Sequence, residues 1–383
     1  MDIMLHRPGE GSQLGSHYKN AFQNAVELYI VSAYLTEWDQ KLTLPATCTK
    51  FRFIIGKDFG ITKKNACRKV MRWLPAHLKA DFMVADEISG FHPKAVIWRD
   101  AGGKAFMLAG SSNLTRAAFD GNVEANLLVP IPQPEFRKIV DWIEWIESRC
   151  KPVSEDWLEH YVEAKRVGGG TKPGAKTAEA EAPVVPFKLP RPSDTRGLLK
   201  ARRAQLSAYQ RSKHALIRHF SAVADGEITN NDFFLKLPTY WGFEKGNRLQ
   251  GMGWERVGKR ANFQQLAKAF LAISQAHKST RDDVVRRELD VLHKKGNPAR
   301  AAFFSEMLCL HYPDQYPLLN DPVREFIAKS EYAAPRGATE GARYIDLARK
   351  LRTALAADPN YPAKNLAELD LLIWASSEKR KMS

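Results

Sequence analysis

Residues 167–194 read VGGGTKPGAKTAEAEAPVVPFKLPRPSD, and no other stretch constrains the fold as much. It is rich in Gly, Pro and Ala and has no amphipathic period, so it offers no face to bury. We read it as a linker, flexible at its Gly end and stiffer at its Pro end. A chain of 383 residues suits two domains, and the linker lets them move independently. The expected division is a first domain at 1–166, the linker at 167–194 and a second domain at 195–383.

The two sides differ in kind. Before the linker, short runs rich in Val, Ile, Phe and Tyr stand at 27–35, 51–56, 81–86, 92–98, 104–110 and 124–131. Helical patterns interleave at 18–26 and 63–80 and follow at 134–150 and 154–166, with Pro134 near the start of one and Ser154 as cap of the other. The Trp and Ile stripe of 134–150 reads as core. Alternating strands and helices imply a mixed α/β sheet with helices on its faces. After the linker the chain reads as helical at 198–223, 263–276, 281–295, 298–312, 321–330, 341–357 and 367–379, with Asp321 as a cap and Pro322 at the first helical position. An irregular stretch, 237–260, mixes Tyr240, Trp241, Phe243 and Trp254 with Lys245, Arg248, Arg256, Lys259 and Arg260.

Charge follows the same division. The net charge is +15, but residues 1–166 hold 22 Lys+Arg against 20 Asp+Glu, leaving 36 against 23 for the rest. The basic character therefore lies with the linker and the helical part, and it suits a polyanionic partner, nucleic acid or an anionic membrane. No run of about 18 apolar residues is present, so no membrane span is expected. The polar opening MDIMLHRPGEGSQLG does not read as a secretory signal. Cys48, Cys67, Cys150 and Cys309 are far apart, with no CxxC pair. That spacing fits reduced cysteines in a cytoplasmic protein better than a zinc set or a disulfide scaffold.

The candidate chemistry begins at FHPKAVIW, residues 91–98. On a strand, His92, Lys94, Val96 and Trp98 share one face. H-x-K alone is near chance level, and the HKK at 293–295 also fits with nothing distinctive after it. The first instance is followed by a turn, a second apolar strand ending in AGSSNLTRAAF (109–119), and then GNVEANLLV (121–129). Adjacent strands bring His92, Lys94, Ser111, Asn113 and Glu124 to one edge of the sheet. Lysine holds a phosphate oxygen as a point charge, and the Asn amide and Ser hydroxyl donate to phosphate oxygens. Histidine can attack phosphorus or carry a proton, and a carboxylate can orient it. No dense Asp/Glu cluster asks for magnesium. The set reads as metal-independent phosphodiester transfer, with neither metal nor cofactor.

The sequence HPK, GSSNLT and N-x-E-x-N resembles the phospholipase D superfamily in its nuclease-like branch, over roughly residues 1–150. The resemblance implies a phospholipase D-like mixed sheet flanked by helices. It also implies that His92 forms a phosphohistidine, that Lys94 and Asn113 hold the phosphate, and that Ser111 and Glu124 support the histidine. Where the fuller family motif has Asp five residues after the Lys, this chain has Arg99, with Asp100 one along; nuclease-like members often lack this Asp, so the departure fits that branch. The family uses two H-K-N sets and this chain has one, which implies a homodimer with two copies of His92 meeting across a two-fold axis.

The substrate expected from charge is nucleic acid, DNA first, with Arg99, Arg116, Lys245, Arg248 and Trp254 as candidate contacts. Trp241 and Trp254 also suit a core, their basic neighbours then forming a solvated face. The layout resembles metal-independent restriction endonucleases, which join such a catalytic domain to a DNA-reading domain. That resemblance implies a restriction or phage-defence role with a possible defence partner protein. A phospholipid phosphodiesterase and a non-catalytic DNA-binding module are the alternatives.

Overall fold

The computed structural model describes residues 1–7, 13–115, 118–119, 121–164 and 187–381. Arg116 and linker residues 167–186 lie outside the described residues. The chain is α/β, an eight-stranded mixed sheet followed by a helical part. It divides into two compact units, Met1–Val184 with Ala333–Ala338, and Val185–Tyr332 with Thr339–Ser383.

In the first unit the strands are β1 (Asp2–His6), β2 (Ala25–Ser32), β3 (Lys50–Ile55), β4 (Phe82–Val84), β5 (Lys94–Asp100), β6 (Ala105–Gly110), β7 (Glu124–Ile131) and β8 (Lys151–Pro152). They line up in the order β1-β7-β6-β5-β2-β3-β4-β8. β2–β3 and β3–β4 are parallel and the remaining pairs antiparallel. The central strand β2, AVELYIVS, is apolar on both faces because both are covered. One face carries Leu28, Ile30, Phe53, Val96, Trp98 and Leu108. It packs under α1 (Leu14–Asn24), α2 (Lys64–Trp73) and α4 (Glu155–His160). The other carries Tyr29, Val31, Ile54, Ala95 and Ile97 beneath Phe136, Ile143 and Ile146 of α3 (Gln133–Glu147).

Several expected elements change shape. The helix expected over 63–80 ends at Trp73, because Pro75 excludes the helical conformation at Leu74 (ψ 136°), and a 3₁₀ segment follows at Ala76–Asp81. The helix expected over 154–166 stops at His160. Beyond it Tyr161 donates to the Thr62 carbonyl (3.0 Å) and the Ala164 amide to the Gly60 carbonyl (2.9 Å), so the chain follows the loop after β3 instead. Ser154 stands at the N-cap, but its hydroxyl donates to the Asp156 carboxylate. In α3 the Ile face is core, while Trp142 and Trp145 are exposed. β1 and β8 had no sequence-level expectation.

The second unit contains α5 (Thr195–Ala224), α6 (Asn230–Tyr240), α7 (Glu255–Gly258), α8 (Phe263–Gln275), α9 (Arg281–Lys294), α10 (Ala302–His311), α11 (Asp321–Ala328), α12 (Glu340–Ala356) and α13 (Leu366–Lys381). α6 was not expected. A capping box between Thr229 and Asp232 starts it, and Pro238 sits in its last turn. The cap of α11 is Asn320, which accepts from the Val323 amide at 3.0 Å; Asp321 and Pro322 follow inside the first turn. Phe187, read as linker, is buried in this unit's core and stacks with Phe326 and Tyr332. All four cysteines are buried and free. Among the described residues no helix is long and apolar enough to cross a membrane.

Candidate active site

The register gathers one set of strand ends. Ser32 at the end of β2 lies opposite Lys94 at the start of β5 and Ile55 at the end of β3. Ala95 lies opposite Ala109, Gly110 opposite Asn126, and His6 opposite Glu124. The ends of β1, β2, β3 and β6 and the starts of β5 and β7 therefore share one end of the sheet. His92 precedes β5 in a loop rather than opening the strand, so its exposure does not follow the strand's alternation. Its approach is set by the loop, where the Ala33 amide donates to the Pro93 carbonyl at 2.8 Å.

Lys94 Nζ stands 3.0 Å from His92 Nδ1, 3.3 Å from Nε2 and 3.1 Å from the His92 carbonyl. Tyr34 meets the imidazole edge-on, with ring centres 5.8 Å apart. Partial burial, then the Lys94 charge, holds the His92 pKa below its ordinary value, so the neutral ring is favoured. Burial also lowers Lys94, with Glu124 pulling the other way. Asn113 Oδ1 accepts the Tyr34 amide at 3.3 Å, which assigns the amide's orientation and leaves Nδ2 as the donor end.

Glu124 is buried, and its two oxygens are taken by neighbours. Ser111 Oγ donates to Oε2, and Asn122 Nδ2 donates to Oε1 at 2.9 Å. The carboxylate thus orients Ser111 rather than the imidazole, and its charge is felt at Lys94. Ser111 is locked from the other side, its Oγ accepting the Ala125 amide at 3.0 Å. Ser112 and Asn126 form a second, buried pair, Asn126 Nδ2 to Ser112 Oγ at 2.8 Å. Gly110 makes this possible. A Cβ there would lie 2.2 Å from the Ala125 carbonyl oxygen and 2.7 Å from Asn126 Cα.

Sequence reasoning missed several members of this neighbourhood. His6 shares its face and register with Glu124, and each is only 7% exposed. Cross-strand neighbours have Cβ atoms about 5 Å apart, so this imidazole flanks the carboxylate. The signal was in DIMLH, where Met4 and His6 share one parity. Ser32 Oγ donates to the Tyr34 carbonyl (2.8 Å) and accepts the Leu114 amide (3.2 Å), tying the loops that carry Tyr34 and Asn113.

The loop after β3 reaches the same end. Lys57 Nζ pairs with Asp86 Oδ1 at 2.9 Å, and Lys151 Nζ with Oδ2 at 2.7 Å. Asp58 Oδ2 accepts the amide of Gly90, two residues before His92, at 2.9 Å. Between them and Gly60, Phe59 has φ 60° and ψ 9° and is 61% exposed. A left-handed backbone costs a residue with a side chain about 1–2 kcal/mol.

The candidate nucleic-acid contacts separate. Arg99 pairs with Glu27 at 2.6 Å and lies over Phe136, on the sheet face opposite Lys94. Arg248 is buried, pairs with Glu255 at 2.7 Å, and lies over the rings of Trp241 and Phe243, 4.7 Å from each centre. Trp254 is core. Each of these three has intramolecular partners, and Trp241 and Trp254 lie in the core. Lys245 is exposed. Among the described residues no three His, Cys, Asp or Glu side chains gather as a metal-ligand set. The chain matches no protein-family model and no curated protein.

Proposed function

We propose that the chain is a phospholipase D-like phosphodiesterase that cleaves nucleic acid, DNA in preference, without a metal ion and through a phosphohistidine. The observation that carries this reading is the His92–Lys94 contact, Nζ to Nδ1 at 3.0 Å, at the same sheet end as Asn113 and the Ser111–Glu124 pair. The ammonium rests on the imidazole. A phosphate oxygen is the better acceptor, so substrate draws Lys94 off the ring and frees it to attack. The neutral form that attack needs is the one the surroundings favour.

In the first step a His92 nitrogen bonds to phosphorus and the P–O bond to the leaving strand breaks, while Lys94 and the Asn113 amide hold the non-bridging oxygens. The departing oxygen takes a proton from a second imidazole, which enters the step as imidazolium while the attacking ring is neutral. In the second step water attacks phosphorus, gives its proton back to that imidazole, and releases His92. The second imidazole is His92 of a second copy across a two-fold axis. His6 does not serve: β1 is three strand spacings from β5, about 14 Å, and His6 is buried beside Glu124. The basic balance of the second half supports a phosphate-backbone substrate over a lipid, and a place in restriction or phage defence fits that pairing.

The test is cleavage of DNA in EDTA, with an SDS-quenched oligonucleotide examined by mass spectrometry for a covalent bond to His92. His92→Ala should abolish the adduct and lower cleavage by at least about 10³-fold with unchanged circular dichroism. Cleavage that stops in EDTA and returns with magnesium overturns the mechanism. Headgroup release from phospholipid vesicles without action on DNA moves the substrate to lipid.

A further inference from the structure

Phe59 has a conformation and an exposure that neither folding nor packing explains. Only it and Asp194 among the described non-glycine residues have positive φ, and Asp tolerates that region where Phe does not. Burial gives nothing in return, since the ring is 61% exposed. The loop is nevertheless pinned on both sides of it, at Gly56 and Asp58 before and at Gly60 after. Thr62 Oγ1 donates to the Gly56 carbonyl at 2.7 Å, the Ala164 amide to the Gly60 carbonyl at 2.9 Å, and the Gly90 amide to Asp58 at 2.9 Å. A strained residue fixed this firmly points to function.

Its position says which. The Asp58–Gly90 bond ties the loop to the segment that carries His92, and Gly56 packs so closely that a Cβ there would stand 3.2 Å from the Phe91 ring and carbonyl. β3 and β5 are two strand spacings apart, about 10 Å. Resting on the phosphodiesterase reading, we infer that Phe59 is a stacking platform for a nucleobase next to the scissile phosphate, so the substrate is bound with that base out of the helical stack, as single strand or flipped. A single ring flanked by the charged Lys57 and Asp58 suits a planar base; an acyl chain asks for an extended apolar surface.

The test uses the full chain carrying His92→Ala, so that substrate is not consumed, and single-stranded oligonucleotides with 2-aminopurine or an abasic site at each position near the cut. Adding Phe59→Gly should leave the thermal midpoint level or raised, because it relieves the backbone, yet weaken binding about 5- to 100-fold and remove 2-aminopurine quenching. Phe59→Trp should keep both. With the abasic position matched to Phe59, the Gly variant should bind like its parent. Equal binding by the Phe59→Gly and parent proteins on intact oligonucleotide overturns the stacking role and leaves the nuclease reading standing. Failure of the chain with intact His92 to bind or cleave any oligonucleotide overturns the nuclease reading and this role with it. Loss of phosphatidylglycerol-vesicle binding on Phe59→Gly, without loss on oligonucleotide, replaces the base by an acyl chain.

Discussion

The Lys94 ammonium makes the charged form of His92 less favourable, and that is measurable without substrate. Burial comes first for His92 and the Lys94 ammonium second. The ring should therefore titrate below its ordinary value near 6.5, as followed by its NMR C2–H signal. Lys94→Met should move that midpoint upward, with burial still holding it down. The sign for stability follows: the unfolded chain binds this proton more readily than the folded one, so acidifying through the ordinary histidine range disfavours the fold. A midpoint above 6.5, or one unmoved by Lys94→Met, would remove the proposed bias toward a neutral nucleophile. At this scale the placing of His92, Lys94, Ser111, Asn113 and Glu124 at one end of the sheet was legible because consecutive antiparallel strands return the chain to the same end. Arg248 was not. An arginine among aromatics reads the same whether it faces solvent or, as here, is buried over the Trp241 ring; only the third dimension separates the two.

At the scale of elements, the β6–β7 pair holds the site together. Gly110 lets β6 approach β7 closely enough for Ser111 to reach Glu124 and Ser112 to reach Asn126. Gly110→Ala should therefore destabilise the chain by about 1–3 kcal/mol, toward the upper end because its neighbours are backbone, read from the urea midpoint. The same substitution should lower cleavage beyond what the lost stability explains. An unchanged midpoint would mean that the strands part without cost. The long apolar strands and the helices with clear periodicity were legible. The exceptions have local causes. Pro75 divides a pattern that otherwise continues, and Pro238 conceals the last turn of α6. β1 is five residues long, and Ile3 and Leu5 are exposed while Met4 and His6 are buried, so most of its aliphatic residues point away from its buried face.

For the whole molecule, the proposed arrangement makes each active centre depend on two chains. Mixing the wild-type chain with a fourfold excess of His92→Ala, after time for exchange, should lower activity per wild-type subunit to about one fifth by random pairing. Activity per wild-type subunit that stays constant through the titration would assign all the chemistry to one chain. The separation of charge was legible from the sequence, as was the helical character of the second half. Which basic residues are free to meet a polyanion was not, because pairing such as Arg202 with Asp370 at 3.1 Å is set by helices far apart in sequence. The pairing of β1 with β7 has a consequence for how the candidate site is assembled. Among the described residues β1 pairs in the sheet with β7 alone, residues 2–6 against 124–128, so this strand waits for more than a hundred further residues before its ladder can form. Closing so long a loop is slow relative to local structure. His6 can come to lie beside Glu124 only when that closure occurs, so the site's supporting carboxylate acquires its last neighbour late in folding, after the central strands have formed.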